Sequence, residues 1–169
     1  MRHLTRCACF LLVLAALMFP LQYVAAAPGH QPSSARLSRD MQRIIVLINQ
    51  RRAEAGIAPV YVNGVLMACA QQYSQVQAAQ GTINHTGPDG STPGQRLRRC
   101  GYNWRHFGEN LAAGYVDPDE LVAAWMASPG HRKNILNPKV REIGLGYTHR
   151  ADDPGYYYDY YVMLVGVRR

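Results

Sequence analysis

The chain has 169 residues, a formal net charge of +7, 48% hydrophobic and 17% charged residues, which suits one packed domain and excludes a charged disordered polymer. Its basic residues are scattered: Arg51-Arg52, Arg96, Arg98-Arg99, Arg132-Lys133 and Arg168-Arg169 make no long run, and no nucleic-acid motif accompanies them. That reads as an ordinary soluble surface, mildly suited to anionic cell walls or lipid headgroups, with no nucleic acid as partner. No internal repeat or low-complexity tract is present, so repeat architectures are excluded too.

Arg2 and Arg6 precede an uncharged apolar stretch over residues 7–19, followed by Val24-Ala25-Ala26, small residues suited to cleavage. The stretch is shorter than the ~20 residues that span a bilayer. Residues 1–26 are therefore expected to be a secretion signal, with no transmembrane segment after it. Residues 27–37, rich in Pro, Ser and Gly, are expected to be a flexible leader ahead of one domain over 38–169.

Ser38 has the chemistry of a helix N-cap, and Met41, Ile44, Ile45 and Ile48 follow at helical spacing up to Gly56. A second helix is expected over Gly64–Gln80, capped by Asn63, ended by Gly81, with Leu66, Cys69, Ala70, Tyr73 and Val76 as its buried stripe. Residues 83–91 read as loop. Thr92-Pro93-Gly94-Gln95 has capping-box spacing and opens a short helix over Pro93–Arg99. A short strand is expected near 109–113. Asp117-Pro118-Asp119-Glu120 opens a helix carrying Leu121, Val122 and Trp125; Ser128-Pro129-Gly130 ends it, and a further helical turn carries His131. Ile143, Leu145 and Tyr147 alternate with Gly144, Gly146 and Thr148, and residues 156–167 form an aromatic and β-branched run beyond an Asp152-Asp153-Pro154-Gly155 turn, which together read as a hairpin. The order predicts an α+β fold, a three-layer α/β/α sandwich with a small antiparallel sheet between helices.

Two cysteines follow the expected signal, Cys69 and Cys100. In an oxidising compartment an even pair reads as one disulfide, two buried free thiols being the alternative. The bridge would close a loop of about 30 residues, worth about 3–4 kcal/mol in the chain-entropy account.

Three groups that titrate or bind metal near neutral pH sit in short polar motifs: His85 in Asn84-His85-Thr86, Glu109 in Gly108-Glu109-Asn110, and His131 in Gly130-His131-Arg132-Lys133-Asn134. They are too far apart for one helix turn, so only tertiary folding brings them together. Asn84-His85-Thr86 is also the chain's one glycosylation sequon.

In this order, with Trp125 between the second and third, the motifs resemble the CAP superfamily of cysteine-rich secretory proteins, antigen 5 and pathogenesis-related 1 proteins, in its short bacterial and fungal form. The resemblance covers residues 38–166. It implies the same sandwich and a shallow groove lined by two histidines and two acidic residues. His85, Glu109 and His131 fall on three of those positions. The fourth, an acidic residue shortly after the helix tryptophan, is missing, since Trp125 is followed by Met126-Ala127-Ser128. Ser128 stands nearby and Glu142 is an unaligned substitute. The expected groove is His85, Glu109, His131, Ser128 and Asn110.

Two imidazoles and a carboxylate offer an open zinc site, but no His-Glu-x-x-His preorganises it, so weak divalent binding is expected rather than a resident cofactor. Ser128 precedes His131 by one helix turn without a Gly-x-Ser-x-Gly elbow, and reads as a helix terminator rather than a nucleophile. A structural role competes with both: Glu109 bridging the two histidines, with Asn110 and Asn134 satisfying loop backbone. The resemblance also implies lipid or sterol as a ligand class, although the loop tied to sterol binding in longer members is shortened here. The resulting expectation is a secreted, monomeric, extracellular binding protein. The competing reading is a metal-dependent hydrolase built on the same three residues.

Overall fold

The computed structural model describes residues 38–169. The expected signal (1–26) and leader (27–37) lie outside the described residues.

Helix α1, Arg39–Glu54, starts where the Ser38 hydroxyl accepts the Met41 amide at 3.2 Å, and buries Ile44, Leu47 and Ile48. A two-residue strand, β1 (Tyr61–Val62), precedes α2 (Gly64–Gln80). Asn63 caps α2 by accepting the amides of Val65 and Leu66 at 2.9 and 3.1 Å, and Gly81 ends it in the left-handed region at φ 65°. Helix α3, Pro93–Arg99, opens on a complete Thr92–Gln95 capping box. Strand β2 runs over Trp104–Ala113, well beyond the expected 109–113. Helix α4 (Pro118–Ala127) is capped by Asp117, α5 (Pro129–Ile135) follows through Ser128, and β3 (Glu142–His149) and β4 (Asp159–Arg168) close the chain.

The sheet order is β1-β3-β4-β2. The three long strands are antiparallel, as the hairpin pattern predicts, and β1 adds a short parallel edge to β3 through Tyr61↔Glu142 and Val62↔Ile143. Two exposed residues carry no periodicity, which is why β1 is invisible in the sequence. One face of the sheet receives α2, and Gly144 and Gly146 explain how closely. A Cβ at Gly144 would lie 2.1 Å from the Leu66 carbonyl carbon, and one at Gly146 2.2 Å from that of Ala70. The glycines of the β3 alternation are thus the helix-facing set. On the other face Ile143, Leu145, Met163 and Val165 pack with Ile44, Ile48, Leu121, Trp125 and Ile135 of α1, α4 and α5. With helices on both faces the sandwich has three layers. Cys69 on α2 is bridged to Cys100 at the end of α3, with Cα atoms 5.9 Å apart, fixing α3 against α2.

The tyrosine run departs from expectation. Tyr156 and Tyr158 adopt φ of 59° and 65°, so β4 begins only at Asp159. Tyr160 and Tyr161 are both buried, because both faces of the sheet are covered.

Among the described residues, no helix is long and apolar enough to cross a membrane.

Candidate functional site

Strand β2 is an edge strand, and the three sequence motifs meet along it. Glu109 points toward the α2–α3 side, with its side chain 3% exposed. Its Oε1 accepts His85 Nδ1 at 2.8 Å, and Arg96 Nη2 donates to both oxygens, at 3.1 Å to Oε1 and 2.8 Å to Oε2. A buried carboxylate demands such partners, and a charge-assisted bond from a guanidinium is stronger than one between neutral groups. Arg96 reaches further. Its Nη1 donates to the carbonyls of His85 at 3.0 Å and Ser91 at 2.8 Å, and its guanidinium carbon lies 3.5 Å from the centre of the Tyr73 ring. The Tyr73 hydroxyl donates to the Asn84 carbonyl, and Gln77 brackets Asn84 through its amide and carbonyl. Loop 83–91 is therefore tied to α2, α3 and β2 at once, and His85 is carried to the carboxylate by that tie.

The other side of β2 is closed by α4 and α5. Asn134 Nδ2 donates to the Glu109 carbonyl at 3.0 Å and to Asn110 Oδ1 at 2.8 Å, while Asn110 Nδ2 donates to the His131 carbonyl at 3.1 Å. Trp125 Nε1 donates to the Leu111 carbonyl at 3.1 Å. An edge strand leaves backbone groups unpaired, and here side chains from the Trp125 and Asn134 motifs satisfy two of its carbonyls. Gly108 completes the fit, since a Cβ there would sit 2.6 Å from the Asn134 side chain. The glycine, glutamate and asparagine of the second motif thus each have a separate contact that requires them.

His85 and Glu109 are brought into direct contact. His131 makes no hydrogen bond to Glu109; burial lowers its imidazole below the ordinary 6.5, and the nearby charge of His85 lowers it further. The second clasp on Glu109 is Arg96, not the second histidine. Asn110 is fully buried and structural in its contacts. Ser128 is the joint between α4 and α5, with no side-chain cap bond. Glu142 accepts from Asn63 at 2.7 Å and Tyr102 at 2.5 Å and touches none of the trio. Burial and that carboxylate together push the Tyr102 hydroxyl well above its usual range.

Zinc does not fit this arrangement. Among the described residues no three His, Cys, Asp or Glu side chains form a metal-holding group. Glu109 already shares both oxygens with a guanidinium, and a dication would have to displace that cation. Sequence reasoning misses Arg96 and Tyr73. A buried Glu109 demands a cation, but nothing local distinguishes Arg96 from its neighbours Arg98 and Arg99.

The sequence signature of the cysteine-rich secretory protein family, CAP, matches residues 45–165. The uncharacterized Bacillus subtilis protein YkwD is 36% identical over 117 residues, 69% of this chain and 45% of that protein. An uncharacterized protein of Borreliella burgdorferi is 28% identical over 130 residues, 77% of this chain and 80% of its own. The chain thus spans under half of the first relative's length and most of the second's. Among solved structures, an outer surface protein from Borrelia burgdorferi superimposes with a TM-score of 0.71 at 26% identity, covering 78% of this chain and 95% of its own. An SCP-domain extracellular protein from Bacillus anthracis gives 0.64 at 26% identity, covering 80% of this chain and 45% of that one. With that signature running through α1 to β4, over the motifs that build the β2 edge, the chain belongs to the cysteine-rich secretory protein (CAP) family.

Proposed function

We propose that the protein is secreted after loss of residues 1–26 and acts outside the cell as a binding protein, with residues 38–169 as its CAP domain. His85 and His131 flank the ligand, and Glu109 holds the wall between them. The observation that carries this reading is the occupied state of Glu109, whose oxygens are taken by His85 and Arg96. A carboxylate held by three such bonds, beside a fixed guanidinium that favours its ionised form, positions its neighbours and is poorly suited to take up a proton as a general base. Extracellular action is supported by the basic n-region and apolar stretch of the first residues, and by the outer-surface and extracellular character of its Borrelia and Bacillus anthracis neighbours. The family supplies the ligand class, lipid or sterol.

The test is native mass spectrometry of protein collected from culture medium, followed by titration with cholesterol and palmitate. A stoichiometric small-molecule adduct that is reduced in His85→Ala and His131→Ala, with no zinc retained after dialysis, is the expected result. Stoichiometric zinc together with chelator-sensitive hydrolysis would overturn the binding reading in favour of a metal-dependent hydrolase.

A further inference from the structure

The cations that look scattered along the sequence are gathered by the fold. A cavity of about 610 Å³ beside α5 is lined by His106, Arg132, Lys133 and Lys139, and a second of about 440 Å³ by Arg105, His106, Lys139, Arg141 and Arg168. They share His106, Pro138 and Lys139, so they adjoin as one elongated trough across the end of the sheet. Neither is lined by an acidic residue, nor by His85, Glu109 or His131. All six lysines and arginines are exposed. Among the described residues the one acidic side chain that pairs with any of them is Glu142, 3.8 Å from Arg168, and residues 1–37 contain no Asp or Glu that could neutralise the rest.

Two features of the backbone build this trough. The register of β2 on β4 slips between Trp104 and His106, which makes Arg105 a bulged residue. Successive residues of a regular strand face opposite ways, yet Arg105 and His106 line the same cavity; re-aiming side chains is what a bulge does. The connection from α5 to β3 is turned inside out by Arg52. Its fully buried guanidinium takes the carbonyls of Ile135 at 2.7 Å, Asn137 at 3.0 Å and Val140 at 3.3 Å. With the carbonyls drawn inward, Lys139 is left outside, on a turn that Asn137 Oδ1 fixes by accepting the Lys139 amide at 2.9 Å.

We propose that this trough binds an extended polyanion, an extracellular polysaccharide bearing phosphate or sulfate esters. Six exposed cations around two adjoining open depressions, with Arg168 alone facing a carboxylate, raise the local concentration of anions and match a chain with repeated negative charges. A flat bilayer is a poorer match. The cations line a concavity, and none of the exposed large hydrophobic residues, such as Val116 or Tyr156, lines either cavity to insert between lipids. Arg105 and His106 belong to the same strand as Glu109, but neither cavity is lined by His85, Glu109 or His131, and the proposal does not depend on the function proposed for those residues.

The test uses the secreted protein and a fluorescent dextran sulfate oligomer, with uncharged dextran and phosphatidylglycerol vesicles as alternatives. The sulfated chain should bind and the uncharged chain should not. Lys133→Glu/Lys139→Glu should weaken binding at least ~10-fold at physiological salt and flatten the salt dependence by roughly two counterions. Arg39→Glu/Arg51→Glu, with the same change in net charge on α1, should stay within about two-fold. If the first double variant does not fold, Arg105→Gln/Lys139→Gln should still lose about 3- to 5-fold. Equal losses in the α1 control would overturn the site in favour of a diffuse field. No binding of dextran sulfate at low salt would overturn it outright. Vesicle binding that dextran sulfate cannot displace would reassign the trough to membranes.

Discussion

Glu109 and Asp153 are both buried carboxylates, and the fold satisfies them in opposite ways. Asp153 is met almost entirely by its own loop: the amides of Gly155, Tyr157 and Tyr158 donate at 3.1, 2.7 and 2.8 Å, and the Tyr160 hydroxyl lies 2.7 Å from each oxygen. Burial pushes this carboxyl up, but the Tyr158, Tyr160, Gly155 and Tyr157 donors outweigh it and hold it down at about 2. Glu109 is met by no neighbour in sequence. His85 and Arg96 come from a loop and a helix laid over the strand. The local solution fixes the shape of one turn, in which Tyr156 and Tyr158 are kept at positive φ. The distant solution joins three elements, so breaking it should be felt well beyond the residue changed.

The largest expected effect follows from that difference. Arg96→Ala leaves Glu109 buried with only a partly exposed imidazole as partner, a case that typically costs about 3–5 kcal/mol. Urea unfolding of the variant should show the loss in midpoint. Glu109→Gln/Arg96→Ala should recover part of it, because the stranded charge is gone. If the single variant is as stable as wild type, the carboxylate is not held by Arg96.

Gly108→Ala should come next, at about 1–3 kcal/mol, because its Cβ forces the Asn134 side chain off the edge of β2. Asn134→Ala in the same chain should relieve the clash without restoring stability, since the Glu109 carbonyl then loses its donor. Thermal melts of Gly108→Ala, Asn134→Ala alone and the double variant separate the two causes.

These two residues also show what a sequence can and cannot reveal. The helices opened by Ser38, Asn63, Thr92 and Asp117 are legible, because each of these residues caps its helix by accepting backbone amides, and capping is a local event. The trio's motifs are legible as an ordered set. Their physical reasons are not, since Gly108 answers to Asn134 and Glu109 to Arg96, contacts that exist only once α5 and α3 are docked. The tyrosine run misleads for a related reason. Periodicity favours a strand from 156, while the loop amides that Asp153 gathers hold the chain off β4 until Asp159. The basic trough is hidden most completely, its cations coming from β2, α5, the α5–β3 connection and the end of β4.

Asp153→Asn should destabilise less than Arg96→Ala and act nearer to home, raising proteolytic cutting within residues 150–158. Its pH signature tests the local solution. The folded carboxyl sits at about 2, below its ordinary 3.8. Its stabilisation is therefore complete above the ordinary carboxylate range and is lost as pH falls through about 2. Melting temperatures of wild type and Asp153→Asn should differ most near about pH 5–6 and converge toward the acid end. A constant gap across that range would mean the charge on Asp153 does not matter.

The smallest effect bears on whether His131 shares the site of His85. Burial, and then the charge of His85, lower the His131 imidazole below its ordinary 6.5. For a group lowered in this way the unfolded chain takes up the proton first. Its contribution to stability is thus complete above 6.5 and is lost as pH falls through the lower folded value. An NMR titration should place the His131 midpoint below that of a free imidazole. His85→Gln removes the charge and leaves most of the burial, so the midpoint should rise yet stay below 6.5. A midpoint unmoved by His85→Gln would put the two imidazoles on separate faces of the β2 edge, and the proposed ligand wall would lose one of its sides.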